Sequence, residues 1–105
     1  MMMITNAAMV NAGGKWDTFR MLIHSGTTII PCALLTAETS GASGRDFITG
    51  VAAGYEVMNR MTADYVPTVM ARGFHPGVLF SIFGPAVAAA KILGFTEEEI
   101  HSTIS

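Results

Sequence analysis

The sequence predicts an all-α fold, a bundle of about five short-to-medium helices. Three observations point there. Helix-forming stretches recur between glycines, alternating β-branched runs of strand length are nearly absent, and two segments open with residues that cap a helix N-terminus, Ser43-x-x-Asp46 and Thr96-x-x-Glu99.

Ile4 to Ala12 reads as a first short helix, stopped by Gly13-Gly14, where residues without Cβ permit a left-handed turn. Lys15 to Ser25 has no helical period. Trp16, Phe19, Met21, Leu22 and Ile23 make it too apolar for a free linker, so an ordered loop is expected. A second helix covers Thr27 to Ser40, with Pro31 placed in its first turn and Gly41 as its stop. The capping residues Ser43 and Asp46 begin a third helix running to about Asp64. Its apolar positions Phe47, Val51, Tyr55 and Met58, with Ile48 beside them, oppose Thr49, Glu56 and Arg60, and Ala52, Ala53 and Gly54 permit close packing. After a connection closed by Pro67, a fourth helix runs from about Gly77 to Leu93, with Gly94 as its stop. Pro85 inside it would clash with the Ser81 carbonyl, so a kink or break is expected near Gly84. Thr96 and Glu99 cap a last helix in which Glu97, Glu98 and Glu99 suit the positive end of the dipole. A capped helix so near Ser105 leads us to expect a longer parent protein.

Composition narrows the function classes. Half of the 105 residues are apolar and 13% are charged, against about 25% charged in typical soluble domains. Such a surface is expected to meet another protein surface, and a homo-oligomer, dimer or higher, is the default. A net charge of −2 with six scattered Lys and Arg residues excludes a phosphate-binding stripe, so no nucleic acid is expected as partner. The longest uncharged stretch, Gly73 to Ala90, is interrupted by His75, Pro76, Gly84 and Pro85, so no membrane span is expected. The Met1-Met2-Met3 start lacks a basic region before an apolar run, which points to the cytoplasm. One cysteine, Cys32, excludes an intramolecular disulfide and a multi-cysteine metal site, and no metal is expected. Trp16, Tyr55, Phe74, Phe80 and Phe83 read as core or interface anchors, since no phosphate-cradling glycine motif accompanies them.

Two histidines share a setting. His24-Ser25-Gly26-Thr27 and His75-Pro76-Gly77 both place an imidazole beside a helix start. Free amides at Gly26 and Gly77 could hold a substrate carboxylate next to a ring acting as acid or base, with Ser25 as a further substrate-binding residue. Each histidine also has an ordinary reading as a turn residue. Asp17 and Thr18 could add a carboxylate and a hydroxyl near His24, or simply form a turn after Gly13-Gly14. His101, on a short acidic helix, is read as solvated.

Taken together, Asn6 to Thr18, His24-Ser25, Gly41-Ala42-Ser43-Gly44-Arg45-Asp46, Gly50 to Val57, Gly73-Phe74-His75-Pro76 and Ala86 to Gly94 resemble the MmgE/PrpD family, in the family's order and over nearly the whole chain. That family includes 2-methylcitrate dehydratase and its decarboxylase and epimerase relatives. The resemblance implies a cytoplasmic, cofactor-independent lyase or isomerase of small di- or tricarboxylates. It also implies a helical domain, a smaller α+β lid absent from residues 1–105, and a homodimer with its site between the domains. Thr18 matches the threonine ending the family's Asp-rich loop, and His24 and His75 match its two helical-domain histidines. The loop's first aspartate falls on Gly14, Asn11 stands where a histidine is frequent, and the lysines of later sequence have no counterpart. The leading reading is therefore a truncated MmgE/PrpD-like helical domain, inactive alone, with His24, His75, Asp17 and Thr18 as residual catalytic residues. The alternatives are a site completed by another chain, and a helical self-association or interaction module with no catalytic role.

Overall fold

The computed structural model describes residues 2–14, 16–20 and 22–105. Among them are seven helices: α1 (Met2–Ala12), α2 (Gly26–Ser40), α3 (Gly44–Thr62), α4 (Val66–Ala71), α5 (Pro76–Phe80), α6 (Phe83–Ile92) and α7 (Glu97–Ile104). The fold is all-α. Two of the seven exceed the expected five because proline starts helices as well as breaking them. Pro67 sits in the first turn of α4, a helix that the sequence reading took for a connection. Pro85 divides the expected fourth helix into α5 and α6, with the break at Ser81 and Ile82, one turn before the proline.

The helix ends follow their local chemistry. Gly41 adopts φ 67° and its N–H bonds the Ala37 carbonyl, stopping α2. Two residues later Ser43 accepts from the Asp46 amide while Asp46 accepts from the Ser43 amide, starting α3. Thr96 and Glu99 repeat the reciprocal arrangement at α7. Pro31 differs from expectation. With α2 beginning at Gly26 it is the sixth helical residue, so its missing N–H removes the bond that would reach the Thr27 carbonyl.

The core lies where α2, α3 and α6 meet. Ile29, Ala33 and Ala37 from α2, Met58 from α3, and Ala88 and Ile92 from α6 are buried there, joined by Ile23 and Val66. Helices α3 and α6 approach through glycines: a Cβ on Gly54 would lie 2.6 Å from the Gly84 carbonyl, and one on Gly50 would lie 2.9 Å from that of Ala88. Phe47, Val51 and Tyr55 are half-buried and Met58 fully buried, while Thr49, Glu56 and Arg60 are exposed, as the helical period requires. Ile48 is a correction: it lies on the solvent side, 66% exposed. Helix α1 packs on α2 yet buries no residue. Phe80 turns inward against the core and stacks near Tyr65 and Phe83, leaving Val78, Leu79 and Ile82 as the exposed apolar residues around the break. No helix among the described residues is long and apolar enough to cross a membrane.

The segment before α2 is an ordered loop. Phe19 and Ile23 exchange both backbone hydrogen bonds, at 2.8 and 3.1 Å, closing a tight turn in which Arg20 has φ 49° and Ile23 is buried. Lys15 and Met21, counted in this loop from the sequence, lie outside the described residues.

Candidate active site

The Phe19–Ile23 turn delivers His24 to the start of α2, and Pro76 delivers His75 to the start of α5. His24 precedes Ser25, and its carbonyl accepts from both the amide and the hydroxyl of Thr27. His75 is the N-cap of α5. Although 51 positions separate them in sequence, both line one cleft of about 700 Å3, bounded by α1, α2, α5 and the start of α6. Met3, Ile4, Ala7, Val78, Ile82 and Pro85 make most of its wall apolar, while Asn11, Thr27, Thr28 and Ser81 add neutral polar groups.

The two imidazoles are held with opposite proton placements. His24 Nδ1 lies 2.9 Å from the Asp17 carbonyl and 3.3 Å from the Thr18 hydroxyl. A carbonyl can only accept, so the neutral ring carries its proton on Nδ1 and leaves the Nε2 lone pair free to take one. His75 Nδ1 instead accepts from the Gly77 amide at 3.1 Å, so its neutral ring carries the proton on Nε2 and can donate it. Gly77 permits this fold-back: a Cβ there would stand 3.1 Å from the His75 ring. The cleft thus combines a proton acceptor and a proton donor.

Asp17 has a different place from the one expected. Its side chain does not meet His24. Both carboxylate oxygens accept from the Gly26 amide, at 3.0 and 3.1 Å, and the Tyr55 hydroxyl packs beside the same group against Gly26. The carboxylate therefore caps α2 at the positive end of its dipole. Burial first, then hydrogen bonding to Asp17 and the carboxylate's charge, push the Tyr55 phenol up to about 12.

The three expected substrate-binding positions each have a partner within the chain. The Gly26 amide already donates to Asp17, the Gly77 amide to His75, and the fully buried Ser25 directs its hydroxyl to Asn59 Oδ1 at 2.7 Å. At Gly26 and Gly77 an intramolecular acceptor takes the place that a bound anion is expected to fill. Sequence reasoning missed Tyr55 and Asn59 as partners of the loop. The available signal was their four-residue spacing, which puts both on one side of α3. Trp16, expected as an anchor, is 40% exposed and lies with its ring centroid 4.7 Å from that of His24. Cys32 lines the cleft half-buried. Its thiol donates to the Pro85 carbonyl at 3.7 Å, and burial pushes its pKa up, which disfavours the reactive thiolate. His101 is exposed on α7, away from the cleft-lining residues.

Residues 3–105 match the family described as the MmgE/PrpD N-terminal domain. The chain belongs to the MmgE/PrpD family. A cis-aconitate decarboxylase-like protein of Aspergillus oryzae is 29% identical over 90 residues, covering 78% of this chain and 19% of that protein. The chain thus spans about a fifth of the length of this curated relative. No solved structure matches. Among the described residues of this MmgE/PrpD domain, no three His, Cys, Asp or Glu side chains gather as metal ligands.

Proposed function

We propose that this MmgE/PrpD domain supplies the histidine-bearing wall of a cofactor-independent carboxylate lyase or isomerase site, acting on a small di- or tricarboxylate. The observation that carries this reading is the pairing of His24 and His75 on one cleft with opposite proton placements. Dehydration, decarboxylation or isomerisation next to a carboxylate each move a proton to or from carbon or a leaving group. His24 Nε2 would accept that proton, the Thr18 hydroxyl and the Asp17 carbonyl would hold the ring, and His75 Nε2–H would donate.

Turnover also requires stabilisation of the negative charge that develops. No Lys or Arg is present among the described residues lining the cleft, so these 105 residues alone are expected to bind a carboxylate weakly and not to turn it over. The test is incubation of the purified chain with cis-aconitate, citrate and 2-methylcitrate, monitoring substrate loss by NMR alongside the His24 and His75 ring signals. Perturbation of both rings without turnover is expected. Clear turnover abolished by His24→Ala or His75→Ala would overturn the expectation of inactivity, and rings untouched by any carboxylate would overturn the site.

A second reading, a helical self-association module, draws on one feature: Val78 and Ile82 on the cleft wall and Leu79 next to them stand 77%, 65% and 43% exposed. It expects a dimeric or larger light-scattering mass at micromolar concentration, and no effect of the histidine substitutions on any binding.

A further inference from the structure

We propose that Tyr55 is a positioning residue for His24: by clamping Asp17 onto the start of α2, it holds the Asp17 carbonyl where it fixes the proton of the His24 ring on Nδ1. This rests on the reading of His24 as a proton acceptor.

A neutral imidazole can carry its proton on either nitrogen, and the partner of one nitrogen decides which. For His24 that partner is a main-chain carbonyl in a loop, at 2.9 Å. A loop carbonyl defines a tautomer only as well as the loop itself is held. The side chain of the same residue does the holding. Its two oxygens meet the Gly26 amide at 3.0 and 3.1 Å, and the Tyr55 hydroxyl closes over the same point of α2, so residue 17 is packed between α2 and α3 while its carbonyl faces the ring. Packing around the clamp is tight. A Cβ on Gly26 would stand 2.4 Å from the Tyr55 hydroxyl oxygen and 2.9 Å from Asp17 Oδ1. Glycine at position 26 is what lets phenol, carboxylate and helix start meet. The Trp16 ring also packs against His24, with centroids 4.7 Å apart. Tyr55 touches none of the residues expected to exchange protons with substrate, so its effect travels through Asp17 to His24.

The experiment is 15N NMR of the histidine rings in the 105-residue chain, unliganded and at a pH where both rings are neutral. His24 should show the Nδ1–H tautomer and His75 the Nε2–H tautomer. Tyr55→Phe, which removes only the hydroxyl, should raise the ratio of Nε2–H to Nδ1–H at His24 by about threefold or more, the scale of losing one ordinary hydrogen bond. His75 should stay unmoved, since its Gly77 partner is unaffected, and so serves as the internal reference. Ser43→Ala, which weakens the distant start of α3, controls for general loosening and should leave His24 as it is. If Tyr55→Phe loses helix content, Asp17→Asn carries the same expectation, keeping the side-chain shape while giving up the charge. A folded variant with an unchanged His24 tautomer would overturn the proposal, as would an Nε2–H tautomer of His24 in the unmodified chain. Because no carboxylate is present, a tautomer shift in a chain that binds no carboxylate would uphold the clamp while rejecting the catalytic reading. Carboxylate binding with an unmoved tautomer would do the reverse.

Discussion

Replacing Gly54 with alanine should destabilise the chain, against the usual trend for a glycine in mid-helix. Within an exposed helix, Gly→Ala stabilises by about 1 kcal/mol because the chain loses less entropy on folding. Gly54 lies in the interior of α3, but it faces α6. Its added Cβ would meet the Gly84 carbonyl oxygen at 2.6 Å, Ala88 Cβ at 3.1 Å and Ile29 Cγ2 at 3.3 Å, all inside the 3.4 Å where ordinary van der Waals contact begins. The nearest of these atoms is backbone, so the clash cannot be relieved by turning a side chain. The two helices must separate. Overpacking costs about 1–3 kcal/mol, and a clash this close with backbone belongs in the upper part of that range, about 2–3 kcal/mol, so after the helix-propensity gain a net loss of about 1–2 kcal/mol remains. For a domain near this size that corresponds to a fall in Tm of about 5–10 °C. Circular dichroism melts would measure it, with two companions. Gly44→Ala, at the open start of α3 where a Cβ would touch nothing within 4 Å, should leave Tm unchanged or raise it. Gly84→Ala meets Ile29 Cδ1 at 2.6 Å, Ile29 Cγ1 at 2.8 Å and the Met58 sulfur at 2.9 Å, side-chain atoms rather than backbone, and should cost less than Gly54→Ala. A Gly54→Ala chain as stable as the parent would refute the close approach of α3 and α6.

Other outcomes follow from the caps and the phenol. Ser43→Ala removes the acceptor of the Asp46 amide and should cost about 1 kcal/mol in thermal melts. Hydrogen bonds from Ser43 and Thr96 hold the Asp46 and Glu99 carboxyls below their ordinary values of 3.8 and 4.5. Folded pKa values lowered in this way add stability that is present above those ordinary values and lost as pH falls through the folded ones. Helix content should therefore fall in acid below about pH 4, with Thr96→Ala and Ser43→Ala flattening the change. Tyr55 runs the opposite way: with its pKa raised from 10.0 to about 12, its contribution is complete below pH 10 and lost as pH rises towards 12. An ultraviolet titration should show this phenol ionising late, and Tyr55→Phe should remove its part of the alkaline destabilisation.

The helices were legible wherever the signal was local. Ser43, Asp46, Thr96, Glu99, Gly41 and Gly94 each act within one turn, and their placement in the structure follows from side-chain chemistry alone. Proline was harder to read, because the same ring starts a helix at Pro67, is carried inside one at Pro31, and follows a break at Pro85, depending on which neighbours are already helical. The histidines stood out by their turn settings, and their meeting on one cleft needed the tertiary fold. The least legible feature was Asp17. Sequence placed it near His24 in a catalytic sense, but its carboxylate is directed to Gly26 and Tyr55, and a residue 38 positions away cannot be assigned as its partner from periodicity.

That position of Asp17 bears on how this domain could meet an anionic substrate. A helix start is a favourable place for a carboxylate because its amides are unpaired and its dipole is positive. Here the chain's own carboxylate occupies the start of α2, and the His75 ring occupies the first free amide of α5. The described basic residues lie elsewhere: Arg60 pairs with Glu56 on the exposed side of α3, Arg20 lies 5.8 Å over the Phe19 ring, and none lines the cleft. A di- or tricarboxylate entering this mostly apolar cleft would give up hydration and gain two imidazoles and a few hydroxyls in return. Moving uncompensated charge into such a wall is unfavourable, whereas a wall that supplies proton transfer and shape can work beside a second surface that supplies positive charge. Asp17 makes that division of labour sharper. By neutralising the α2 dipole it removes the strongest local attraction for an anion, and the same residue's carbonyl meets the His24 ring. On the proposed reading, this cleft wall contributes the placing of protons, and charge compensation has to come from outside it.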